Sequence, residues 1–161
     1  MCDEERRAEA MECIQLGLEA EKKQKYFAAM EFFLKSLALC PTAEGYTYYA
    51  WMLSRFGLYR EAIQECLKAI EIRPEWGNPY NDIGAYLIEL RQYDEALPWL
   101  KKAIEAKDYS QRHLPILNLA RIFEIRGDYE FAMEFLRRAA FLAPHSVEVK
   151  KWMVRILAHL N

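Results

Sequence analysis

Four stretches of the chain can be written one under another: YFAAMEFFLKSLALCP (Tyr26–Pro41), YREAIQECLKAIEIRP (Tyr59–Pro74), YDEALPWLKKAIEAKD (Tyr93–Asp108) and YEFAMEFLRRAAFLAP (Tyr129–Pro144). Each opens on Tyr, with Ala three residues later at Ala29, Ala62, Ala96 and Ala132. Seven positions further stands a small residue: Ser36, Ala69, Ala103 or Ala139. Three of the four close on proline, at Pro41, Pro74 and Pro144. The alanines recur at intervals of 33, 34 and 36 residues. A recurrence of that length marks a repeat architecture, which decides the fold before any single element is considered.

A second pattern precedes each block: CIQLGLEA from Cys13, YTYYAWML from Tyr46, YNDIGAYL from Tyr80 and ILNLARIF from Ile116. Large residues flank one small residue (Gly17, Ala50, Gly84, Ala120) at the spacing of one stripe of an amphipathic helix. The unit is therefore two helices of about a dozen residues joined by a short turn. The small residue of the first helix and the alanine of the second let the two backbones approach. Gly57 and Gly127 stand where the first helix must stop, a place suited to a left-handed cap. The closing proline ends the second helix, since it has no N–H to continue the ladder.

The four copies resemble the tetratricopeptide repeat, and the resemblance runs over about residues 10–146. It implies an all-α, right-handed α-solenoid, read here as one domain over 1–161. The repeats span about 10–42, 43–76, 77–110 and 113–146, and a capping helix follows over about 146–160. Departures exist. Cys13 replaces a large aromatic in the first copy, and Cys66, Leu100 and Leu136 stand where Phe33 keeps an aromatic. Asp108 replaces the third proline, and the linker AKDYSQRHLP after it is two residues longer. That insertion reads either as a tolerated surface loop or as a local change of superhelix pitch. Beyond it, Val149, Trp152, Met153, Ile156, Leu157 and Leu160 form a stripe suited to hiding the last repeat's apolar face, while Val147 and Val154 fall off it. A weak homodimer through this helix is thus an open alternative.

Composition narrows the function. A formal charge of −2 gives no general attraction to nucleic acid or anionic membrane, and no run approaches the roughly 20 apolar residues of a membrane span. The N-terminal MCDEERRAEAMEC is charged throughout, unlike a secretion signal. The four cysteines form no CxxC pair and are expected as free, hydrophobe-like thiols of a cytoplasmic protein. His113, His145 and His159 form no HxxxH or HExxH pair, and no nucleophile elbow or phosphate loop is present. We expect no enzyme, no metal and no cofactor. The basic doublets Lys101-Lys102 and Arg137-Arg138 are interleaved with acids and read as a solvated face.

The resemblance implies that first helices line a concave groove that takes a peptide or helix of another protein. Candidate contacts are Tyr48, Trp51 and Arg55 in the second copy, Asn81 and Asp82 in the third, and Asn118, Arg121 and Glu124 in the fourth. Tyr48 and Trp51 offer an amphipathic anchor. Asn81 and Asn118 could bond a peptide backbone. Arg55, Asp82 and Arg121 could bind or pair with one another. Asn78 is expected as an N-cap, with Pro79 as first helical residue. The resemblance allows one subfamily to be tested: the carboxylate clamp of its chaperone-binding members is missing apart from Asn118, since the other positions hold Thr47, Trp51, Asp82 and Leu114, and an acidic C-terminal tail is not expected as the ligand. A secretion-type chaperone for a hydrophobic client and a homo-oligomeric scaffold remain the alternatives.

Overall fold

A computed structural model describes residues 2–160. Among them are nine helices and no strands: α1 (Glu4–Lys22), α2 (Tyr26–Leu39), α3 (Ala43–Arg55), α4 (Tyr59–Ile72), α5 (Gly77–Glu89), α6 (Tyr93–Glu105), α7 (His113–Ile125), α8 (Tyr129–Leu142) and α9 (Val147–Leu160). The chain divides into two compact units, Met1–Pro74 and Glu75–Asn161. In the first, α1 pairs with α2 and α3 with α4, and α2 packs on α3. In the second, α5 pairs with α6 and α7 with α8, α7 packs on both α5 and α6, and α9 lies on α8.

The small residues do what their spacing predicts. Ala29, Ala62, Ala96 and Ala132 are fully buried, as are Ser36, Ala69, Ala103 and Ala139. A side chain on Gly17 would come within 2.4 Å of the Phe33 ring, and one on Gly84 within 2.4 Å of Leu100. The glycine of the first helix therefore makes the pocket that the large residue of the second fills. At the end of the second unit, Val149 and Ile156 of α9 join Ile116, Met133 and Leu136 in one core, so α9 does cover the last hairpin.

All four intra-hairpin turns use one geometry. Leu58 N donates to Leu53 O and Gly57 N to Ser54 O, and Asp128 N donates to Phe123 O and Gly127 N to Glu124 O. These are the paired bonds of a Schellman cap, with Gly57 and Gly127 at φ +75° and +78°. The other two turns repeat the bonds through Gln24 (φ 59°) and Arg91 (φ 61°), where a side chain makes the conformation costly.

Three expectations need correction. Cys2 and Cys40 are joined in a disulfide with a Cα–Cα distance of 5.6 Å, and only Cys13 and Cys66 are free and buried thiols. Cys40 caps the end of α2 and Cys2 lies just before α1, a proximity that spacing along the chain could not reveal. Asn78 is not a cap: α5 starts at Gly77 with Trp76 before it, and Asn78 lies in the first turn. The long third linker is no loose surface loop. Gly77 N donates to Asp108 O at 3.0 Å, Asp108 N donates to Glu75 O at 3.1 Å, and Tyr109 is buried over Gly77. Arg112 donates from Nε to Ile104 O and from Nη2 to Ala106 O, capping the carbonyl end of α6.

Candidate functional site

In the first unit the candidates lie on α3. Tyr48 and Trp51 are half-buried against a core of Ile14, Ala29, Phe33 and Met52. Tyr48 stacks on Phe33 with ring centroids 5.6 Å apart. The Arg55 guanidinium lies 5.3 Å from the Tyr26 ring centroid and 5.6 Å from that of Trp51, and donates to Glu21 Oε1 at 3.1 Å. A cation over two aromatic faces with a carboxylate at its rim holds that part of the surface in one arrangement.

In the second unit a polar cluster replaces the aromatics. Asn118 Nδ2 on α7 donates to Asn81 Oδ1 on α5 at 3.0 Å. Asn81 Nδ2 reaches Asp82 Oδ1 at 3.4 Å, and Asn78 Nδ2 reaches Asp82 Oδ2 at 3.3 Å. Asn81 is 6% exposed, so its amide serves the α5–α7 contact. Part of Asp82 reaches the surface, but its carboxyl is enclosed. Burial pushes its pKa up to about 7, and the hydrogen bond from Asn81 works the other way. Tyr109 adjoins it: burial, then the nearby Asp82 charge, push the phenol up, and the buried hydroxyl has no hydrogen-bond partner.

Further along α7, Arg121 Nη1 donates to Glu89 Oε1 at 2.7 Å. Glu124 accepts from Trp152 Nε1 at 2.9 Å and from Arg155 Nη2 at 2.8 and 3.0 Å. Arg55, Arg121 and Glu124 thus pair with groups on α1, α5 and α9 of their own units, whereas Asp82 is bonded within α5. Arg121 and Glu124 nonetheless line a hollow of about 800 Å³ with Val147, Lys151, Trp152 and Arg155 of α9. Sequence reasoning treated α9 as a cover and missed its share of this hollow. The available signal was Trp152, a stripe residue whose indole N–H needs an acceptor once half-buried.

Among the described residues no group of three or more His, Cys, Asp and Glu side chains is placed to hold a metal, and no helix is long and apolar enough to cross a membrane. What the arrangement can do is present fixed donors, acceptors and half-buried indole faces to another chain.

Known proteins of similar build bear on this. One tetratricopeptide repeat family model matches residues 43–75 and another matches residues 80–107. No curated protein matches in sequence. Among solved structures, Pseudomonas aeruginosa pilF is similar with a TM-score of 0.87 at 22% identity, over 96% of this chain and 70% of that one. PilW, described as a widely conserved type IV pilus biogenesis factor, gives 0.82 at 19% identity, over 91% and 68% of the two chains. MamA gives 0.69 at 18% identity, over 84% and 78%. At such identities the likeness is one of fold.

Proposed function

Because this chain is a tetratricopeptide-repeat protein, we propose that it is a non-catalytic interaction module whose first-type helices bind a peptide segment or helix of a partner protein. The observation that carries the reading is the hollow between α7 and α9, where Arg121 and Glu124 meet the half-buried Trp152. Its polar groups are held by Glu89, Trp152 and Arg155, so a ligand would meet a surface already in place. In the first unit Tyr48, Trp51 and Arg55 offer a second, aromatic contact of the same kind. Asn81, Asp82 and Asn118 take a supporting role, fixing α5 against α7.

A peptide library displayed on phage tests this. Peptides selected by the wild type should weaken on Lys151→Ala and on Trp152→Phe, or on Trp51→Ala, while the melting temperature stays near wild type. If the library yields no binder, or its binders ignore all three changes, the reading fails. A weak self-association is a second reading, favoured by Val147 and Val154 standing 63% and 68% exposed on α9. Light scattering on Val154→Glu against wild type decides it. The Cys2–Cys40 bond favours an oxidising setting over the cytoplasm that free thiols would suit.

A further inference from the structure

A second hollow, of about 460 Å³, lies where α6 and α8 end and α7 begins. Its floor is Ile104 and the buried Ile116, its apolar rim is Phe141 and Leu142, and its polar rim is Arg112, Arg137 and Arg138. No Asp or Glu lines it. We infer that this hollow docks an acidic linear peptide carrying one bulky apolar side chain, at a place separate from the α7–α9 hollow.

Phe141 is 86% exposed although it belongs to an amphipathic helix whose other apolar residues are buried or half-buried apart from Phe131 and Leu142. An aromatic held open beside a half-enclosed apolar floor is the kind of group that contributes most once a partner side chain covers it. The volume admits one aromatic side chain with its flanking backbone. The charge around it has one sign. Arg112 is fixed by its bonds to the Ile104 and Ala106 carbonyls at 3.1 and 2.8 Å, and Arg138 lies 5.4 Å from the Phe135 ring centroid. Their guanidinium planes suit carboxylates, which they can grip through paired N–H donors. A phosphate backbone needs a basic track along many residues, which three arginines around an apolar centre do not supply.

The test is fluorescence anisotropy with a labelled octapeptide of glutamates around a single tryptophan, read at low salt. The wild type should bind saturably at micromolar peptide. Phe141→Ser and the double variant R137E/R138E should each bind about tenfold more weakly or worse. Replacing the peptide's tryptophan by glycine should have a similar effect, and binding should fall as salt rises. The three substituted side chains are themselves exposed, so circular dichroism should show unchanged folding. If Phe141→Ser disturbs the fold, the charge reversal alone carries the test. No binding at millimolar peptide, or equal binding by wild type and R137E/R138E, overturns the proposal. So does binding of phosphatidylglycerol vesicles through these residues when the peptide itself does not bind.

Discussion

The two units solve one problem in two ways. Each must hold a linker between consecutive hairpins, and neither linker forms secondary structure of its own beyond short bridges. In the first unit the α2–α3 linker is short, opens at Cys40 and Pro41, and is tied by the disulfide to Cys2; Thr42 then caps α3 by accepting from Gly45 N at 3.0 Å. In the second, the α6–α7 linker lacks the proline and runs longer. It is held by Tyr109 over Gly77, by the Trp76–Asp108 bridge and by Arg112 on the α6 carbonyls. The first tie is covalent and answers to redox conditions. The second is packed and polar, and its neighbour Asp82 makes it answer to pH.

The largest expected effect lies on the covalent side. The bond closes a loop between residues 38 apart in sequence. Cys40→Ser, or a reductant, should therefore lower the stability of the first unit by about 4 kcal/mol on the chain-entropy view. Denaturant unfolding with and without reductant measures it. An equal loss in the two units would erase the contrast between them.

Next comes the packed tie. A methyl group on Gly77 would stand 2.5 Å from Tyr109 Cβ. Gly77→Ala should cost about 1–3 kcal/mol through overpacking. Hydrogen exchange should place the loss at Asp108 and Gly77, whose amides bond across this contact. A neutral result would mean that the linker yields, and that it is the loose loop which spacing alone allowed.

The pH response has a definite sign. With the Asp82 pKa raised to about 7, the folded form holds a proton that the unfolded chain has released. Stability should therefore fall as pH rises from the ordinary carboxylate range to about 7, by at most about 1.4 kcal/mol per pH unit, and level off above it. Asp82→Asn should remove that slope and leave the variant more stable than wild type at alkaline pH. Thermal melts from acid to alkaline buffer would show it, and parallel curves for the two proteins would defeat it.

The smallest effects form a matched pair. Among the described residues each unit buries one side-chain hydroxyl without a partner, Ser36 Oγ in the first and Tyr109 Oη in the second. Ser36→Ala and Tyr109→Phe should each stabilise by about 1 kcal/mol, since each removes an unsatisfied buried group. If only Ser36→Ala does so, the Tyr109 hydroxyl has found a partner near Asp82.

What the sequence could show followed from local geometry. The small residues Ala29, Gly84 and Ala96, the turn glycines Gly57 and Gly127, and the stripe of α9 each have a spacing consequence that survives folding, and all sit where the period puts them. The misses arose where residues distant in sequence meet. Cys2 reaching Cys40 depends on how the two ends of the α1–α2 hairpin meet, and Tyr109 reaching Gly77 and Trp152 reaching Glu124 on how one element lies on its neighbour, none of which a period encodes. The candidate site was legible as a set of helix positions. Its internal bonding was not, because Asn81 and Arg121 carry the same side chains whether they face a ligand or a neighbour.

The contact between Tyr109 and Gly77 also bears on engineering and ancestry. A lock of this kind cannot be moved one half at a time: grafting the long linker into another array would fail unless the bare backbone at its landing point travelled with it. Relatives that keep the aromatic should keep the glycine, and those that lost one should have been free to lose the other.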